Sequence, residues 1–224
     1  MDYPINQIFQ TIQGEGYFTG VAAIFIRLQG CPVGCSWCDT KHTWAKNKQQ
    51  QRPLSIILAK KSDNDEWATC SSEQLIDLFE QKNYTARHIV ITGGEPCLYD
   101  LTELTANLEK KGYQCQIETS GTHDIYCSEK TWVTLSPKVA MRGGFKILPA
   151  ALNRANEIKH PVGRQKDIDV LEHLINQLAP NHPAPHICLQ PISQNAKATN
   201  LCIEACIKRN WRLSVQMHKY LNIA

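Results

Sequence analysis

Short β-rich runs alternate with amphipathic helical stretches along most of this chain, and that alternation limits its fold more than any other feature. The runs fall at 23–29, 88–92, 114–118, 131–135, 157–159, 186–190 and 212–216. Between them the spacing predicts helices over 72–82, 100–111, 166–178 and 196–209. The first of these starts with a serine cap and places Leu75, Ile76 and Phe79 on one face. Strands alternating with helices argue for βα units and a parallel sheet. Six or seven such units are too few for an eight-unit barrel. The expectation is an α/β fold, a partial (β/α) barrel of about six parallel βα units, with an open parallel sheet as the alternative. Ligands of such sheets gather at the carboxyl ends of the strands.

The length of 224 residues suits one domain with its own core, and no linker of convincing length divides it. Residues 1–224 are therefore read as a single domain, without internal repeats. One compositional break lies at about 45–70, which is polar and charged apart from the apolar stretch 54–59. It is expected to be a mobile surface insertion with a short helix. The amino-terminal residues carry no basic region followed by an apolar one, and no apolar run approaches the roughly 20 residues of a spanning helix. The expected setting is cytoplasmic, where thiols stay reduced. A net charge of +3 is too small to argue for a nucleic-acid or membrane partner.

Ten cysteines then need a reading other than disulfides. Seven are scattered (Cys70, Cys97, Cys115, Cys127, Cys188, Cys202 and Cys206) and read as small buried apolar residues. The other three, Cys31, Cys35 and Cys38, form C-x3-C-x2-C on a loop just after the first β-rich run. Gly30, Pro32 and Gly34 give that loop freedom to turn, so three thiolates can converge on one object. Structural zinc usually takes four protein ligands in two pairs, and no second pair is evident, although lone Cys and His residues can supply a fourth. A redox pair, Cys35 with Cys38, leaves Cys31 idle. An iron–sulfur cluster normally takes four thiolates; held by three, it leaves one iron open to an outside ligand.

A second motif, Thr92-Gly93-Gly94-Glu95-Pro96, directly follows the run at 88–92. Its glycines let the backbone approach a ligand, and its carboxylate can pair an ammonium, although a tight turn explains it as well. Glu118-Thr119-Ser120-Gly121, Ser136-Pro137-Lys138, Lys159-His160 and Gln190-Pro191 each put polar groups at a strand top. Together they line one rim. Arg27, inside an apolar run just before the cysteine loop, offers a planar fork suited to a carboxylate.

The cysteine spacing, with Trp37 before the third cysteine, resembles the signature of the radical S-adenosylmethionine superfamily. The resemblance implies a [4Fe–4S] cluster on Cys31, Cys35 and Cys38. S-adenosylmethionine would chelate the open iron, and its reductive cleavage would give a 5′-deoxyadenosyl radical. It further implies that Trp37, Cys38, Asp39, Gly94, Glu95, Ser136, Pro137, Lys138 and Gln190 hold that cofactor, the segment at Gly94 and Glu95 taking the methionine amino group.

A narrower resemblance, over nearly the whole chain, is to the 7-carboxy-7-deazaguanine synthase family. It rests on residues 9–16 (FQTIQGEG), 25–31 (FIRLQGC), 38–42 (CDTKH), 91–96 (ITGGEP) and 218–221 (HKYL). That family converts 6-carboxy-5,6,7,8-tetrahydropterin to 7-carboxy-7-deazaguanine with loss of ammonia, towards queuosine. The adenosyl radical takes a hydrogen from the pterin, the ring contracts, and the hydrogen returns. The resemblance implies substrate contacts from the backbone of Ile12, Gln13 and Gly14, from Arg27 and Thr92, and from the carboxylate of Ala224. It implies Mg²⁺ at Thr40, with Asp39 beside it, an external one-electron donor such as a flavodoxin, and a homodimer. Two rivals share the cysteine loop: a glycyl-radical activase, which does not need Arg27 and Gln13, and a non-catalytic zinc module. The absence of a basic patch with interleaved aromatics counts against RNA binding.

Overall fold

Along the central strands, neighbouring residues differ in kind, and this gives the sheet two unlike faces. The computed structural model describes residues 1–180 and 183–221. Its strands are β1 (Asp2–Ile12), β2 (Ala22–Leu28), β3 (Ala68–Ser71), β4 (His88–Gly93), β5 (Gln114–Thr119), β6 (Trp132–Leu135), β7 (Glu157–Val162), β8 (His186–Pro191) and β9 (Arg212–Leu213). They form one sheet in the order β3-β1-β2-β4-β5-β6-β7-β8-β9. From β2 onward every pairing is parallel, as expected for βα units. Strand β1 runs antiparallel to both β2 and β3.

The strand at Asp2–Ile12 is not evident from periodicity, and the register explains why. It slips between Ile5 and Gln7, so the buried positions Tyr3 and Ile5 fall out of phase with Ile8. The run expected at 212–216 shortens to Arg212–Leu213, and a 3₁₀ turn, Met217–Lys219, follows closely.

Helices α1 (Leu54–Leu58), α2 (Ser72–Gln81), α3 (Thr102–Lys110), α4 (Pro149–Arg154), α5 (Gln165–Ile175) and α6 (Ala196–Arg209) complete the chain. The serine cap of α2 is Ser71 rather than Ser72. Its Oγ accepts from Gln74 N, and Ser71 N donates in turn to Gln74 Oε1. The apolar residues of one sheet face lie under these helices. Ile24, Ile26, Leu28, Ile89, Ile91, Cys115 and Ile117 pack with Leu75 and Phe79 of α2 and with Leu104 and Leu108 of α3. Leu135, Ile158, Ile187 and Leu189 pack with Leu152, Ile168, Leu171 and Cys202.

The alternate residues point the other way and are mostly polar: Arg27, His88, Thr92, Gln116, Glu118, Thr134, Glu157, Lys159 and Gln190. The loop after β1 shows that this polar face is concave. Gly16 N donates to Ser214 Oγ at 2.7 Å, beyond β9, and Tyr17 N donates to Glu157 Oε1 at 3.0 Å on β7. Contacts between a loop near one edge and strands near the other require a curled sheet, a partial barrel around a polar cup. Gly16 has φ +71°, and a Cβ there would meet Glu157 Oε1 at 2.3 Å. Tyr17 and Phe18 then fill the amino end of the cup, Tyr17 against Trp132 (4.7 Å) and His186 (4.5 Å), and Phe18 against His88 (4.3 Å).

Residues 45–70 are only partly the surface insertion that composition predicts. Ile57 and Trp67 are buried, and β3 extends the sheet beside β1. Buried Asn6 Nδ2 donates to Asn64 O and Glu66 O, which pins the far end of the segment. Six of the scattered cysteines are buried and Cys127 is half-buried; all are free thiols. Among the described residues no helix is long and apolar enough to cross a membrane.

Ile117 is fully buried on the helix-facing side of β5. Ile117→Ala is expected to lower unfolding free energy by about 2–5 kcal/mol in urea denaturation, with the polar cup unchanged.

Candidate active site

Strand β2 delivers the chain to Gln29, whose buried amide fixes the cysteine loop at its base. Gln29 Nε2 donates to His42 O and Ala45 O, and its Oε1 accepts from Asn6 Nδ2 at 2.7 Å. Gly30 N and Cys31 N donate to Thr43 O and Trp44 O at 2.7 and 2.9 Å. Both ends of the loop are thereby pinned together, and Cys31, Cys35 and Cys38 are carried on the ring between them. Cys38 N donates to Cys35 O at 3.2 Å, and Trp44 Nε1 donates to Cys38 Sγ at 3.4 Å. On the far side Gly143 N donates to Val33 O at 3.0 Å.

The three thiols are free. Burial pushes Cys31 up to about 11 and also raises Cys35, although the Lys138 ammonium opposes it there. Neighbouring thiolate charge also raises Cys31 and Cys35, so a bound cation has to drive their ionisation. Three sulfurs on one pinned loop fit a cluster that leaves one iron to an outside ligand.

The second motif meets this loop through its backbone. Gly94 N donates to Leu28 O and Glu95 N to Gly30 O, at 2.9 and 2.8 Å. A Cβ on Gly94 would stand 2.1 Å from Gly30 O, so only glycine allows the approach. Glu95 is 1% exposed. It accepts from Cys97 N, Thr119 Oγ1, Ser120 N and Ser120 Oγ. These donors occupy the acceptor sites of a carboxylate. In this structure the carboxylate ties the tops of β4 and β5 together, and the main chain of Gly93 and Gly94 lies beside it at the rim.

The other predicted residues lie at the carboxyl ends of the strands or on the loops between them. Arg27 pairs in register with Thr92, and its Nε donates to Gln7 Oε1 at 2.8 Å. Lys138 Nζ donates to Ser136 Oγ at 2.6 Å beside buried Pro137. Buried Gln190 stands two strands further round, on β8. Trp37 and Asp39 are exposed on the cysteine loop, and Thr40 Oγ1 lies 3.6 Å from Cys38 Sγ.

Ile12 ends β1 opposite Ala22. Gln13 N and O pair with Val21 O and Gly20 N, its amide donates to Glu118 Oε1, and Gly14 O accepts from Met217 N. The backbone at 12–14, expected to contact substrate, makes these bonds within the protein, and its carbonyls keep a second lone pair. Ala224 lies outside the described residues.

Sequence reasoning named Glu118 and Lys159 only as strand tops and missed Glu15. The structure joins all three. Lys159 Nζ donates to Glu15 Oε2 at 2.7 Å and to Glu118 Oε2 at 3.1 Å. Burial would raise the Glu15 pKa, but the Lys159 charge and hydrogen bond outweigh it and hold it at about 2. The legible signal was polar residues at every second strand position, 116/118 and 157/159. His160, buried on the other side of β7, is pushed down to about 4 by burial and the Lys138 charge.

A three-thiol loop at the carboxyl rim of a partial βα barrel defines a class. Residues 25–138 match the family model described as the Radical SAM superfamily. The chain is 63% identical over 224 residues to the 7-carboxy-7-deazaguanine synthase of Escherichia coli (strain K12), covering 100% of both. It is 54% identical over 223 residues, again 100% of both, to the enzyme of that name from Buchnera aphidicola subsp. Schizaphis graminum. The crystal structure of QueE from Escherichia coli superposes with a TM-score of 0.94 at 62% identity, over 96% of this chain and 94% of that one. The chain belongs to the 7-carboxy-7-deazaguanine synthase family of the radical SAM superfamily. Membership implies a [4Fe–4S] cluster and S-adenosylmethionine as cofactors.

Two outcomes follow. Glu95→Gln turns one acceptor into a donor facing buried donors and is expected to cost about 1–3 kcal/mol in chemical denaturation. Glu15 has a folded-state pKa below its ordinary value, so it stabilises the fold at neutral pH and loses that contribution between about pH 4.5 and about 2. Melting curves of Glu15→Gln should fall less steeply with acid than those of the parent in that window.

Proposed function

We propose that this chain converts 6-carboxy-5,6,7,8-tetrahydropterin to 7-carboxy-7-deazaguanine with release of ammonia, a step towards queuosine. The observation that carries the reading is a polar cup, closed below by Tyr17 and Phe18, directly under a rim of three free thiols. When bound, the cluster and S-adenosylmethionine supply one-electron reduction and hydrogen-atom abstraction. The cup supplies orientation and exclusion of water. Arg27, its guanidinium plane fixed by Gln7, suits the substrate carboxylate, with the Thr92 hydroxyl beside it in register. Cys31, Cys35 and Cys38 hold the cluster. The Gly94 main chain, Ser136 with Lys138, Trp37, Asp39 and Gln190 line the rim for S-adenosylmethionine.

Thr40 is assigned to Mg²⁺. Around Thr40 no three His, Cys, Asp or Glu side chains among the described residues form a group that could hold a magnesium ion. The ion would therefore take most of its oxygens from substrate and water, a common arrangement for magnesium. The reading carries with it a homodimer and an external one-electron donor such as a flavodoxin. The loops that touch the cysteine ring present Lys41, Lys46, Lys48, Arg142 and Lys146 against one acid, Asp39, which favours an acidic carrier.

The test is anaerobic reconstitution with iron and sulfide, followed by reduction with the carboxy-tetrahydropterin, S-adenosylmethionine and Mg²⁺ present. Formation of 7-carboxy-7-deazaguanine is expected. Cys35→Ala should abolish the visible cluster absorbance and product alike, and Arg27→Lys should raise KM about tenfold with the cluster intact. Cleavage of S-adenosylmethionine without deazaguanine product would sink the substrate assignment.

A further inference from the structure

The chemistry above assigns no part to the most deeply buried cation facing the cup. The Lys159 side chain is 5% exposed and is shared by two carboxylates from different parts of the chain. Each carboxylate has a second engagement. Glu118 Oε1 accepts from Gln13 Nε2 at 3.0 Å, within the wall of the cup. Glu15 Oε1 accepts from Gln216 Nε2 at 2.8 Å and lies 3.9 Å from His218 Nδ1. Met217 N donates to Gly14 O next to it. One ammonium therefore joins a cup wall, the plug loop and the C-terminal segment that follows β9.

The other charged or titratable groups facing this centre are Glu157 on the same strand, Lys138 after β6, the Cys188 thiol on β8 and Arg27 across the cup from Glu118. Burial opposes the Lys159 charge, but its carboxylate neighbours outweigh burial and raise its pKa above the ordinary lysine value. With the cation gone, two carboxylates crowded into one buried site cannot both keep their charge, and the pair takes up a proton. A pterin presents a 2-amino group and a ring N–H, both donors. A carboxylate suits that edge, and a protonated carboxyl suits it less well.

We propose that Lys159 is a positioning residue for the pterin, holding Glu118 aimed into the cup and, through Glu15, tying the C-terminal segment to the same centre. The proposal rests on the substrate reading above and deepens it.

The test uses the full chain without its cluster and 6-carboxypterin, a fluorescent probe, titrated between about pH 5.5 and 7.5, below the ionisation of the probe's own ring N–H. The parent and Lys159→Arg should bind with similar affinity and a flat pH profile. Lys159→Met should bind about tenfold or more weakly at the acid end and recover affinity as the pH rises, the sign required by a shared proton. In the reconstituted enzyme the same variant should raise KM far more than it lowers kcat. Reductive cleavage of S-adenosylmethionine without pterin should match the parent. A purely structural lysine would lower the melting temperature and leave the pH profile of binding flat; that result overturns the proposal, as does parent-like affinity in Lys159→Met. If Lys159→Met fails to fold, Lys159→Gln, which keeps two N–H donors but carries no charge, replaces it, and parent-like pterin affinity with a flat pH profile in that variant overturns the proposal. A parent chain that binds no carboxypterin overturns the substrate reading and this proposal together, whereas binding by the parent with no effect at Lys159 overturns this proposal alone.

Discussion

A polar face turned away from bulk water has to satisfy itself, and most of this structure follows from how the inner face of the sheet does so. Burying an unpaired polar group costs several kcal/mol in the worst case, and an unpaired charge costs more. Here Gln116 accepts from His88 and donates to Thr134. Thr134, Trp132 and Tyr17 N all donate to Glu157. Lys159 then serves Glu15 and Glu118 together. These bonds cross from strand to strand and from the sheet to the plug loop, so they hold the curl of the sheet as well as line the cup. A sheet with apolar residues on both faces would instead bury both under helices and leave no polar cup.

The rim depends on a different constraint, close approach of main chains. Gly30, Gly93 and Gly94 bring the ends of β2 and β4 into contact, with Gly94 N and Glu95 N bonded to carbonyls of β2 and its loop. Glu95 then reaches sideways to Thr119 and Ser120, so β5 is tied to the same platform. Rigidity of this kind matters where a ligand has to be held at reacting distance, since small misplacements are costly in rate. The pinned base of the cysteine loop, through Gln29, serves the same end.

Much of this was legible in residue order. The parallel strands from β2 to β8 and the four longer helices follow from period and caps, because apolar spacing reports which side of an element is buried. Other parts were not. The phase slip at Ile5/Gln7 hid β1, and β3 was hidden because four residues carry little periodic signal. The side-chain partners of Glu95 were hidden as well, because Thr119 and Ser120 lie more than twenty residues further on.

Residue order alone determined the cysteine spacing, the glycines beside it and the alternation of polar with apolar residues along the strands. These are local properties, set by side-chain chemistry and by the two- and 3.6-residue periods of the backbone. Tertiary structure alone decided which polar groups meet. Glu15, Glu118 and Lys159 come from a loop and two strands that do not adjoin in the sheet, and only its curl brings them to one point. Such a meeting is a matter of long-range geometry, which no local period encodes.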